Sequence, residues 1–287
     1  MKPEMNHEMK PVAWFNGQPV QDSFAANRAL QYGDGVFRTC LIYANELIDL
    51  EGHIKKIMVD AARLDLGLDL AVEHPLLLRA EARELASRQP QAVLKILLIR
   101  AGSERGYRSS SQTCDRLLLL GPAPNFPASF WEQGVRLFRS SFRLASQPVL
   151  AGIKHLNRLE QVLASRHWPA GADEILVNDD QGRPVSGTRS NLFWVQDGTL
   201  CTPALDCCGV AGLMRDRLLG IARRLLLPIR VAPASWDELY RAQEIFVCNS
   251  LIGIWPVRSL EAWSAAAPGV MTRQLMEILA HPRLVQP

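Results

Sequence analysis

Short apolar runs of strand type alternate with amphipathic stretches along this 287-residue chain, and one proline-rich segment breaks the alternation. That segment, "GPAPNFPASF" from Gly121 to Phe130, carries three prolines. Proline lacks an N–H and fixes its own φ, so neither a helix interior nor a central strand runs through such a stretch. It reads as a linker, residues 121–130, between a smaller N-terminal domain (1–120) and a larger C-terminal domain (131–287).

In the first part, "VAWFNGQPV" places an Asn16-Gly17 turn between apolar residues, a hairpin signal. "VFRTCLIYANELIDL" repeats the pattern around Ala44-Asn45. Ile54, Ile57, Ala61 and Leu64 recur at spacings of three and four, which predicts a helix. A second helix is expected near Leu76 to Ser87, then two strands, "AVLKILLIRAG" and "RLLLLG", flanking the polar loop "SERGYRSSSQTCD". In the second part, strands are expected at "VRLFRSSF", "EILVND", "NLFWVQ" and "EIFVCN". Helices are expected near His155 to His167, Leu213 to Arg224 and Val270 to Leu279. The expectation is two α/β domains with a ligand in the cleft between them.

With 48% of its residues apolar, the chain can bury a sizeable core. The net charge is +3, and basic blocks such as "IARRLLLPIR" are interrupted by leucines. That pattern argues against nucleic acid as the partner and suits a small anionic ligand. The six cysteines form no CxxC pair with matching ligands, so no metal is expected. "MKPEMNHEMK" has no apolar core and no run is long enough to span a membrane, so a reduced, cytoplasmic protein is the expectation.

One lysine stands out. In "LAGIKHLNRLEQVL", Ile153, Leu156, Leu159 and Leu163 make an apolar stripe, with Lys154, His155, Arg158 and Glu160 off it. This puts Lys154 at a helix start. The positive end of the macrodipole disfavours a cation there and would lower the pKa of the amine, which suits a nucleophile. The bland alternative is a solvated surface lysine.

"AGIKHLNRLEQVL", "ADEILVND", "SNLFWV", "TPALDCCGVAGLMR" and "VCNSLIGIWPV", preceded by "QYGDGVFRT", "LEGHIKKI" and "RAGSERGY", resemble in order the class IV fold of pyridoxal-phosphate (PLP) enzymes. That group holds branched-chain and D-amino-acid aminotransferases and 4-amino-4-deoxychorismate lyases; "AGIKHLNRLEQVL" and "RGY" are nearest the lyases. The resemblance implies a two-domain fold with PLP in the cleft, a homodimer, and Lys154 as the Schiff-base lysine. It implies phosphate contacts from Leu213 and Met214 after Gly212, from Asn249 and Ser250, and from Lys56, where the family usually has arginine. Ser186 stands where the family usually has the glutamate that keeps the pyridine nitrogen protonated. Serine cannot hold that proton, which disfavours transamination more than a lyase reaction driven by aromatisation.

Arg105 and Tyr107 match the lyases' substrate-contacting loop, Tyr32 and Thr39 lie where the class lines its pocket, and Thr39 is the candidate proton donor to the leaving group. Asp34, between Gly33 and Gly35, reads as a turn residue. The implied activity is conversion of 4-amino-4-deoxychorismate to 4-aminobenzoate and pyruvate. The alternatives are a class IV aminotransferase for D-amino or branched-chain acids, and a cofactor-binding protein that has lost the chemistry.

Overall fold

The computed structural model describes residues 12–20, 27–67, 73–102 and 105–286, so "MKPEMNHEMK" and Ser103–Glu104 of the polar loop lie outside the described residues. The chain divides into two compact units, Met1–Pro124 and Asn125–Pro287.

The N-terminal unit contains β1 (Val12–Phe15), β2 (Gln18–Pro19), α1 (Arg28–Tyr32), β3 (Gly35–Tyr43), β4 (Glu46–Leu47), α2 (Leu50–Arg63), α3 (Glu73–Ala86), β5 (Gln91–Arg100) and β6 (Cys114–Gly121). Its six strands form an antiparallel sheet in the order β2-β1-β6-β5-β3-β4. Both expected hairpins are present. Asn16 and Gly17 have φ of 47° and 80°, and Ala44 and Asn45 have φ of 52° and 63°, the paired positive values that match strand twist in a two-residue turn. Val36, Arg38, Cys40 and Ile42 of β3 pair with Leu98, Ile96, Leu94 and Ala92 of β5, and all eight are buried on one face. Helix α2 packs on β3 and buries Ile54, Ile57 and Ala61, three of the four residues of its predicted stripe. The other face of the sheet carries Phe37, Thr39 and Lys95, all half-buried.

The C-terminal unit contains α4 (Ser129–Glu132), β7 (Val135–Arg143), α5 (Leu159–Ala164) with a 3₁₀ turn at Ser165–His167, β8 (Glu174–Asn178), β9 (Pro184–Gly187), β10 (Asn191–Gln196), β11 (Thr199–Pro203), α6 (Leu213–Arg224), β12 (Ile229–Ala232), α7 (Trp236–Tyr240), β13 (Glu244–Asn249), β14 (Gly253–Leu260), β15 (Trp263–Ser264) and α8 (Val270–Leu279). The main strand order is β12-β11-β10-β13-β14-β7-β8-β9, and β9 also pairs with β10 at Ser186↔Asn191. That pairing closes six strands, β10-β13-β14-β7-β8-β9, on themselves. Closure leaves those strands no free edge and buries every residue of β8 and β9. Trp194, Trp255, Trp263, Leu137 and Leu176 belong to one apolar cluster; α6 and α8 cover Phe193, Phe246 and Ile254 in another.

Helices α6 and α8 fall where the amphipathic pattern put them. The helix expected from His155 does not. It starts only at Leu159, and Leu159 is 67% exposed, so the proposed stripe is not a buried face. The reason is competing pairing upstream. Gly152, at φ 81°, bridges Val210: its N–H donates to Gly209 O (3.0 Å) and its carbonyl accepts from Ala211 N–H (3.0 Å). Lys154 therefore sits on an irregular segment well ahead of α5. Because the helix field fades within one turn, the macrodipole argument for a lowered lysine pKa lapses.

Candidate active site

The Gly152 bridge ties the lysine segment to the chain entering α6. From the other side, Asn191 of β10 holds the same chain: its Nδ2 donates to Val210 O (2.8 Å) and its Oδ1 accepts from Gly212 N–H (3.1 Å). A Cβ on Gly212 would stand 2.3 Å from Asn191 Oδ1, so only glycine fits between that amide and the helix. Gly212 is the N-cap of α6, and no side chain caps the helix. The first N–H groups, at Leu213 and Met214, are thus left for an anion. This donor set fits a phosphate. Ser250, half-buried at the end of β13, makes no side-chain hydrogen bond among the described residues and keeps its hydroxyl available.

Asn249 is a different matter. Its Oδ1 accepts from Leu251 N–H (2.8 Å) and Ile252 N–H (3.1 Å), and its Nδ2 donates to Arg189 O (3.2 Å). The side chain shapes the turn after β13 and joins it to the 187–190 turn. Ser186 is buried on β9, where β9 meets β10, and its hydroxyl donates to Gly187 O (2.9 Å). In this rotamer the oxygen presents lone pairs, so the hydroxyl must turn to donate to a neutral pyridine nitrogen.

The N-terminal unit carries the other candidates. Tyr32 ends α1, and its hydroxyl accepts from Gly106 N–H (2.9 Å); its ring lies edge-on to Tyr107 at 5.7 Å. Arg28 is buried and donates to Asp34 (2.9 Å), Gly106 O (2.9 Å) and Tyr107 O (3.1 Å). Arg100 donates to the same Asp34 oxygen at 2.9 Å. Asp34 is therefore an ion-pair hub, and Tyr32 works with it to hold the "RGY" loop. The loop's own side chains face water: Arg105 is exposed and Tyr107 is 92% exposed.

Thr39 pairs directly with Lys95 across β3 and β5, and the Lys95 ammonium lies 4.6 Å from the centre of the Phe37 ring. Burial pushes the Lys95 pKa down. Lys56 lies in α2, and its carbonyl accepts from Arg38 at 3.4 Å. The Arg38 guanidinium is buried against the Asp60 carboxylate.

Sequence reasoning missed Asn191, Lys95, the buried Arg38–Asp60 pair and Glu174. Glu174 is wholly buried and accepts from Thr188 Oγ1 (2.7 Å), Thr188 N–H (3.2 Å) and Ser190 Oγ (3.0 Å), which pins the turn between Ser186 and Asn191. The available signal was charge or amide placed inside apolar strands: Lys95 in "VLKILL" and Glu174 opening "EILVN".

A closed mixed sheet thus sets the lysine segment beside the uncapped start of α6. The chain belongs to the amino-transferase class IV family, whose model matches residues 35–260. It is 34% identical over 259 residues to the aminodeoxychorismate lyase of Vibrio harveyi, covering 87% of this chain and 91% of that one. It is similar to the crystal structure of 4-amino-4-deoxychorismate lyase from Pseudomonas aeruginosa at 41% identity and TM-score 0.86, covering 93% of this chain and 98% of the other. The branched-chain amino acid aminotransferase of Escherichia coli shares the fold at TM-score 0.80 and 24% identity, covering 94% and 93%. No described helix is long and apolar enough to cross a membrane.

Proposed function

We propose that this protein is a PLP-dependent lyase that converts 4-amino-4-deoxychorismate to 4-aminobenzoate and pyruvate. The observation that carries the reading is the 41% identity to the Pseudomonas aeruginosa lyase over 93% of the chain, with Lys154 on a segment pinned to the start of α6. Bound PLP supplies a reactive aldehyde and an electron-withdrawing ring. The N–H groups of Leu213 and Met214, the turn at Asn249 and Ser250, and Lys56 hold its phosphate. Lysine at position 56 keeps the charge but loses the bidentate fork of arginine, so this contact is looser. The Lys154 amine carries the cofactor and takes the proton from the substrate carbon that bears nitrogen. Thr39 donates a proton to the departing enolpyruvate oxygen, and Arg105 and Tyr107 engage substrate carboxylate. A homodimer fits the family, and the cytoplasm is the expected compartment. Incubating the holoenzyme with 4-amino-4-deoxychorismate should release 4-aminobenzoate and pyruvate in equal amounts. Keto acid formed from simple amino acids, with no 4-aminobenzoate, would instead support an aminotransferase.

Ser186 bears on that choice. A carboxylate beside a pyridine nitrogen keeps it protonated and strengthens electron withdrawal; a hydroxyl does not. Ser186→Glu should raise transamination of simple amino acids relative to lyase turnover and shift the cofactor absorbance, with the melting temperature followed in parallel because Ser186 is buried. An unchanged spectrum and an unchanged ratio would show that Ser186 does not face the nitrogen.

A further inference from the structure

The segment that carries Lys154 holds a second cation, whose partners are unusual. Arg158, four positions on and just before α5, donates from Nη2 to His155 Nε2 at 2.6 Å. An arginine has no lone pair to offer, so the imidazole is the acceptor and must be neutral. Burial first, and then the Arg158 charge, push the His155 pKa down to about 4, consistent with that role. Arg158 itself is largely withdrawn from water, and burial pulls its pKa to about 10.

A guanidinium placed in this way normally has a carboxylate beside it, because a desolvated charge without a counter-charge is costly. Arg158 has none within ion-pair distance among the described residues. The acid that acts on it is Glu160, and a Glu160 oxygen accepts from Ala145 N–H at 2.7 Å. Arg158 Nε and His155 Nδ1 are both buried with no hydrogen-bond partner. The guanidinium is thus pre-oriented by a neutral base and keeps its whole positive charge, with Nε still to be satisfied.

We propose that Arg158, positioned by His155 on the segment that carries Lys154, is a recognition residue for a carboxylate of the substrate. The inference rests on the reading of Lys154 as the site lysine and adds to it the second charge the substrate class requires. A single fixed guanidinium discriminates a carboxylate from an uncharged isostere of the same shape, because only the anion forms charge-assisted bonds with it. The cofactor phosphate is the other anion that could lie here. The uncapped start of α6 already offers it donors, so Arg158 is assigned to the carboxylate.

The test is calorimetric titration of the holoenzyme with 4-aminobenzoate and with 4-aminobenzamide. The wild type should prefer the acid. Arg158→Gln should weaken acid binding about ten- to hundredfold and leave amide binding unchanged, while Arg158→Lys should retain part of the preference. Cofactor affinity and absorbance should stay at wild-type values. Should Arg158→Gln not fold, His155→Leu carries the test, since it leaves the charge but removes the acceptor that anchors it; it should reduce acid binding by a smaller factor. No acid preference in the wild type, equal changes for acid and amide, or loss of cofactor in Arg158→Gln would each overturn the assignment. Failure of the lyase reading looks different: the wild type then makes no 4-aminobenzoate from aminodeoxychorismate, yet its acid-over-amide preference still depends on Arg158.

Discussion

Lys154→Ala should abolish turnover, and borohydride treatment of the wild-type holoenzyme should label Lys154 and no other lysine. On the proposed assignment, the substitution removes both the attachment point of the cofactor and the base that moves the substrate proton. Proton transfer by a positioned side chain alone contributes about 10²–10⁴-fold, so the combined loss is larger. Stability should change by about 1 kcal/mol or less, because backbone bonds between Gly152 and Gly209–Ala211 hold the segment and Lys154 is only half-buried. The comparison belongs on the apo forms, since a bound cofactor stabilises the wild type by mass action and would exaggerate the difference. A reduced adduct on another lysine would remove Lys154 from this role.

Asp60→Ala should cost about 3–5 kcal/mol of folding stability, the largest such effect expected here. Arg38 is 2% exposed and Asp60 3%, so deleting the carboxylate removes a counter-charge from a guanidinium that water cannot reach. Exposed pairs do not compare: Arg88–Glu84, with side chains 43% and 57% exposed, contributes roughly 0–1 kcal/mol. The double variant Arg38→Met/Asp60→Leu should recover most of the loss, because it removes both desolvated charges and fills similar volume. Urea unfolding of the three proteins measures this. If the double variant is as unstable as Asp60→Ala, the cost lies in packing and not in the lost counter-charge. Activity follows the same logic: Arg38 precedes Thr39 on β3 and reaches the carbonyl of Lys56, so the pair couples two candidate residues to one strand and one helix.

Local features were readable from the sequence. The Asn16-Gly17 and Ala44-Asn45 turns need two residues at positive φ, and that demand is met or failed within four residues of chain. Helices α6 and α8 run from Leu213 to Arg224 and from Val270 to Leu279, as their periodicity implies, because each buries a stripe that its own residues define. The ordered motifs around Lys154, Leu213 and Asn249 were enough to place the chain in its family, since that requires matching segments and not knowing what they touch.

Tertiary structure decided the rest. The helix after Lys154 is shortened by a bridge between residues 58 positions apart, Gly152 and Val210, which no helical pattern contains. The closing of β9 on β10 sets Ser186 against Asn191. The same fold brings Asn191 to the chain entering α6, and Arg38 of β3 to Asp60 of α2. Lys95 and Thr39 face each other only because β3 and β5 pair in one register; a slip of one residue would send Lys95 to the other face. Periods of 2 and 3.6 say which face a side chain occupies. They do not say which residue will be opposite it, and the charges and amides of this site take their meaning from those opposite partners.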